Sequence, residues 1–141
     1  MAVRKPMKKR KRRISSTKFW AKLRRSEPNN AEAALLGILT WLGLPFKYVG
    51  NAQYLIYGRC PDFIHSGGEN KIIELFGERW HKPEEEVERI EFFRNAGFET
   101  LVVWSKELKV RNRLVLYKRL QEFEALRYDF HQVDKTISGR D

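Results

Sequence analysis

Apolar and polar positions along the chain change period several times, and each change marks an element. The block AEAALLGILTWLGL places Ala31, Leu35, Ile38, Leu39 and Leu42 on one face at helical spacing. Asn29 or Asn30 can cap this helix, Glu32 lies in its first turn, and Gly43 and Pro45 end it. Shorter apolar runs follow. FKYVG (46–50) reads as a strand and QYLIYG (53–58) as a strand or strand-like connection. PDFIHS (61–66) and KIIELF (71–76) read as a hairpin around GGEN. Pro83, followed by Glu84, Glu85 and Glu86, starts a second helix. Val87, Ile90, Phe92 and Phe93 supply its buried face, and Gly97 closes it. TLVVW (100–104) is solidly apolar, as in a strand covered on both faces. A last helix is expected over about 106–127, with Leu116, Leu120, Phe123 and Leu126 inward. The order α, β-meander, α, β, α implies an α/β fold with a mixed central sheet flanked by helices.

At 141 residues the chain suits one domain, and its four Trp and nine Phe can furnish a core. The net charge of +10 is unevenly spread. Residues 1–25 hold twelve of the 28 Lys and Arg and no acid, leaving 16 basic against 18 acidic residues, a balance of −2. The positive charge therefore belongs to an arm. Such an arm, with Lys8, Lys9, Arg10, Lys11, Arg12, Arg13, Arg24 and Arg25, favours a polyanion through counterion release. Nucleic acid is the expected partner, and a solvated tail or address signal is the plainer reading. Residues 1–25 are read as a largely disordered arm, 26–128 as the folded domain and 129–141 as a polar tail. One cysteine, Cys60, rules out an intramolecular disulfide framework and points to a reducing, cytoplasmic setting. The best apolar run, 33–46, is too short to span a bilayer, so no membrane role is expected.

The hairpin carries the chemistry. Asp62 and Glu74 interrupt apolar strands. A turn centred on Gly68 would set them directly opposite, roughly 5 Å apart at Cβ. Two carboxylates that close repel unless a cation lies between them, and hard divalent ions favour such an oxygen pair. A one-residue slip would instead face Leu75 to Asp62, leaving one acid as an exposed strand residue and the other paired with a basic side chain. His65 should point away from Asp62, and Cys60 with His65 makes no zinc pattern. His131 lies in the tail and is assigned nothing.

The run P-D-F, a turn, then K-I-I-E-L-F-G-x-x-W-H resembles the core of the PD-(D/E)xK nuclease superfamily. It resembles most the branch of the very-short-patch-repair mismatch endonuclease and the phage homing endonucleases with an E-D-x-H-D motif. The likeness spans about residues 27–127 and includes Glu32, R-I-E-F-F-R (89–94) and TLVVWSKEL (100–108). It implies a restriction-endonuclease-like three-layer fold and metal-dependent hydrolysis of DNA, with Mg²⁺, or Mn²⁺ in its place. Asp62 would be the central metal ligand, with Glu74 or a carbonyl beside it as the second. His81 would take the proton from the attacking water, since imidazole titrates near neutrality. Glu32 would orient His81 or reach the metal through water, and one of Glu84, Glu85 and Glu86 would fill the last acidic position.

The pattern is departed from in three places. The superfamily's usual Lys, two residues after the second acid, is Phe76 here, which moves proton handling toward His81. With one Cys and three His the chain lacks the repair enzyme's structural zinc site, and it lacks that enzyme's second active-site His. Mismatch repair is therefore not the expected task, while restriction, homing and junction-resolving roles stay open, with homodimerisation favouring the first and last. Trp80 reads as a base-stacking DNA contact or as core, His81 as base or as an exposed helix-start residue. Arg89 and Arg94 read as phosphate contacts, with helical pairing of Arg89 to Glu85 an equal explanation. The alternative function is a non-catalytic nucleic-acid-binding protein on a nuclease-like scaffold.

Overall fold

The computed structural model describes residues 27–127. Its elements are α1 (Asn30–Trp41), β1 (Phe46–Tyr48), β2 (Phe63–His65), β3 (Lys71–Phe76), α2 (Pro83–Asn95), β4 (Glu99–Trp104) and α3 (Arg113–Ala125). They form a mixed α/β fold around a four-stranded sheet in the order β1-β2-β3-β4. β1, β2 and β3 are antiparallel, and β4 returns parallel to β3 after α2 crosses over.

The sheet is covered on both faces. Leu35, Ile38 and Leu39 of α1 and Leu116, Leu120 and Phe123 of α3 pack on Phe63, Ile73 and Val103. On the other face Phe93 of α2 packs with Ile72 and Ile56. β2 and β3 are buried on both faces, and they read as near-continuous apolar runs for that reason. The hairpin pairs Phe63 with Ile73 and Ile64 with Ile72, a register centred on Gly68, which puts Asp62 across from Glu74.

α1 begins with a reciprocal capping box. Asn29 Oδ1 accepts from Glu32 N–H at 2.9 Å, and a Glu32 carboxylate oxygen accepts from Asn29 N–H at 3.2 Å. α2 has Pro83 at its start and three glutamates in its first turn, and it ends before Gly97 at φ +91°.

Several expectations change. Residues 53–58 form no strand. Tyr57 (φ 47°) and Gly58 (φ 81°) are both left-handed, a tight turn joined only by the Ile56–Arg59 bridge. The last helix is not continuous from residue 106. Two short 3₁₀ turns, Ser105–Leu108 and Val110–Asn112, precede α3, because Lys109 is extended and Leu108 drops into the core. Asn112 Nδ2 and Arg113 Nε donate to the Lys106 and Leu108 carbonyls and hold that break. Val87 and Leu126 are exposed rather than inward.

Candidate active site

One open cavity of about 1010 Å³ lies where the N-terminus of α1, the C-terminal part of β3 and the start of α2 converge. Glu32, Asp62, Glu74, Trp80 and His81 all line it, although they come from four separate stretches of sequence. Glu85, Arg59 and Arg89 line it as well.

The two strand acids form its floor. Glu74 is 2 % exposed. Asp62 is half-buried, and its Oδ2 accepts from Leu75 N–H at 2.8 Å, which locks the carboxylate across the strand pair. Burial pushes the Asp62 pKa up to about 6, and the Glu32 charge adds to this, while the Leu75 N–H and Arg89 oppose it. Burial and the charge of Asp62 likewise raise Glu74 well above the usual carboxylate range, against the pull of Arg89. Glu74 Oε1 is buried and has no hydrogen-bond partner among the described residues. A buried carboxyl oxygen without a hydrogen-bond partner is costly. Two facing carboxylates with a spare oxygen are the donor set of a hard divalent ion, so the residues present fit one.

Glu32 serves the α1 cap and also reaches the site. Tyr48 lies beside it, and the Tyr48 hydroxyl is pushed up by burial first and by Glu32 second. His81 is half-buried. Its ring stacks on Phe76 with centroids 4.0 Å apart and planes 10° off parallel. His81 Nδ1 lies 2.7 Å from Glu85 Oε2. A carboxylate only accepts, so Nδ1 carries the proton, and in the neutral imidazole Nε2 keeps its lone pair. Among the three glutamates opening α2, Glu85 is the one on His81, and Glu86 accepts from Trp104 Nε1 at 3.0 Å instead. Trp80, 78 % exposed, stands at the rim and is not core.

Arg89 does not pair with Glu85. It turns inward, with Nε 3.5 Å from Glu74 Oε2. Arg94 points the other way, toward Glu99. Sequence alone does not single out Arg59, since a lone arginine beside a cysteine carries no signal. It pairs with Glu88 at 2.7 Å and lies 3.9 Å over the Phe92 ring. Lys8, Lys9, Arg10, Lys11, Arg12, Arg13, Arg24 and Arg25 lie outside the described residues.

A second acidic group sits on the opposite face of the sheet, where His65 meets Glu69 and Glu124. It is built as a staple, not as a metal centre. His65 Nδ1 accepts from the Gly67 and Glu69 N–H groups at 3.0 and 3.2 Å, so its proton sits on Nε2, aimed at Glu124 3.0 Å away. No ring nitrogen is left to ligate an ion. Lys71 already supplies the cation, 2.7 Å from Glu69 and 2.6 Å from the Glu124 carbonyl. His65→Ala is expected to cost roughly 2–3 kcal/mol of stability, because part-buried donors and the Glu124 carboxylate lose their partner and a buried ring is removed. It should leave divalent-ion affinity unchanged, which thermal melts and calcium titration of the same preparation would check.

No helix among the described residues is long and apolar enough to cross a membrane. The chain matches no protein-family model, and no curated protein is recognisably similar to it. Among solved structures it is similar to the catalytic domain of the homing endonuclease I-Bth0305I, with a TM-score of 0.51 and 14 % identity over 68 % of this chain and 94 % of that one. At that identity the two share a fold, and the fold is nuclease-like.

Proposed function

We propose that this protein is a divalent-metal-dependent DNA endonuclease of the PD-(D/E)xK superfamily, in the branch marked by the E-D-x-H-D motif. The observation that carries the reading is the convergence of Glu32, Asp62, Glu74 and His81 on one cavity of a nuclease-like fold, with a buried Glu74 oxygen that has no partner among the described residues. Asp62 and Glu74 would hold the ion, Mg²⁺ or Mn²⁺. Bound there, such an ion neutralises phosphate charge and acidifies a water.

The chain's own groups supply the rest. His81 Nε2, with Nδ1–H held by Glu85, takes the proton from the attacking water as its oxygen bonds to phosphorus, while the leaving nucleotide oxygen departs with the electron pair of its broken bond and takes a proton from solvent. Phe76, in the position of the usual Lys, is the platform under that imidazole. Trp80 at the rim offers a stacking surface for a base. Glu32 presents a carboxylate from α1 to the same space.

Supercoiled plasmid, single-stranded and branched DNA incubated with Mg²⁺, Mn²⁺ or EDTA tests this directly. Nicking or cutting that needs the metal is expected on at least one substrate. Binding without cleavage on every one, unaffected by metal, would favour the non-catalytic binding protein.

The basic arm is proposed to hold the DNA, because the rest of the chain has a charge balance of −2. Deleting residues 1–25 should weaken duplex binding by on the order of 10²-fold or more at moderate salt and flatten the slope of log affinity against log salt. Fluorescence anisotropy at several salt concentrations reads both. An unchanged slope would place the phosphate contacts elsewhere.

A further inference from the structure

The salt link between Arg89 and Glu74 is unusual in being loose. Buried arginine–carboxylate pairs normally close as a two-pronged fork at about 2.7–2.9 Å. Here Arg89 Nε stands 3.5 Å from Glu74 Oε2, and its Nη2 reaches the Cys60 carbonyl only at 3.5 Å. Among the described residues neither the buried Arg89 Nε nor the buried Glu74 Oε1 makes a hydrogen bond. The guanidinium is meanwhile held in place, lying 5.3 Å over the Phe93 ring, whose helix is packed on the sheet. An oriented guanidinium and a buried carboxylate thus sit side by side, each with capacity unused.

We propose that Arg89 is a phosphate-binding residue of the cavity, held by Glu74 in the metal-free protein and released to a DNA phosphodiester when a divalent ion takes Glu74. This rests on the metal-dependent nuclease reading above. The planar fork of an arginine matches two oxygens of one phosphate, and Glu74 cannot serve the ion and Arg89 equally. Arg59 lines the same wall but is committed to Glu88 at 2.7 Å, so it is the weaker candidate. Metal and DNA should therefore bind cooperatively through Arg89, each lowering the cost of the other.

The test uses the full chain and Ca²⁺, which occupies oxygen sites, with duplex DNA as the probe. Calorimetry gives Ca²⁺ affinity, and anisotropy gives duplex affinity in EDTA and in Ca²⁺. For the unaltered protein, duplex affinity should rise with Ca²⁺. In Arg89→Met, Ca²⁺ should bind several-fold more tightly, because a competing cation is gone, while the Ca²⁺-dependent gain in duplex affinity should fall roughly tenfold or more. Arg89→Lys, which keeps a charge without the fork, should fall between and provides the same comparison should the Met variant fold poorly. An Arg89 variant that is folded, binds Ca²⁺ as the parent does and shows the full Ca²⁺-dependent gain overturns the inference alone. No Ca²⁺ binding by the unaltered protein overturns the metal reading and the inference with it.

Discussion

Asp62→Asn is expected to abolish metal-dependent cleavage and, in the metal-free protein at pH 8, to raise the melting temperature. Both effects come from one charge. The substituted side chain can still accept from the Leu75 N–H through its amide oxygen, so the strand geometry survives. What is lost is a carboxylate facing Glu74 in a buried setting. The folded state raises the Asp62 pKa to about 6 from a usual 3.8, and Glu74 moves in the same direction. A carboxyl raised on folding binds more protons folded than unfolded, so stability falls as pH climbs from about 4 through 6 and stays reduced above. For Asp62 alone the shift corresponds to on the order of 3 kcal/mol, roughly 15 °C in melting temperature for a body of this size. Glu69 and Glu88, held low by Lys71 and Arg59, act in the opposite sense, since a carboxyl lowered on folding gains stability as pH rises.

The unaltered protein without metal should therefore melt lower at pH 8 than at pH 5, and Mn²⁺ should restore what was lost. Asp62→Asn should show a flatter pH profile and little response to Mn²⁺. Its nicking rate should drop on the order of 10³-fold or more, the equivalent of several kcal/mol of charge stabilisation. Melts at the two pH values, with and without Mn²⁺, run beside a plasmid assay, decide it. Wild-type nicking by the variant, or a wild-type melting temperature that rises from pH 5 to pH 8, would remove Asp62 from the metal site.

The same electrostatics explains how far the sequence could be read. The bounds of β3 and its register on β2 follow from an apolar run and a symmetric Gly-rich turn, both local properties. The facing of Asp62 and Glu74 then follows from strand alternation. What was not legible depends on contacts distant in sequence. Tyr57 takes a left-handed φ that its side chain does not announce, so residues 53–58 read as a strand or a strand-like connection rather than as a turn. The break before α3 is set by Leu108 seeking the core, which periodicity along a helix cannot register. Glu85 stands four residues from both His81 and Arg89, and sequence alone could not say which it serves. It serves His81, because Arg89 is drawn inward by Glu74. Local pattern places the acids, and the buried charge they create then decides where the neighbouring cations go.

Replacing His81 with Ala should lower cleavage by roughly 10²–10⁴-fold, the usual range for losing a general base. Metal affinity should hold, since His81 is paired with Glu85 and is not a ligand in this reading. Added imidazole should recover part of the rate, because the space over Phe76 is then vacant. Phe76→Leu should cost about tenfold, by letting the imidazole drift from its stacked position. Phe76 also touches Trp104 and lies in β3, so a loss on its own could come from a disturbed strand. The double variant separates these. If Phe76 acts only by holding His81, there is nothing left for it to position once His81 is gone, and the double variant should be no slower than His81→Ala. A double variant slower by the full product of the two losses would mean that Phe76 supports the site through the sheet. In that case the position where a lysine usually stands would have been given over to core packing, and Glu85 alone would orient the base.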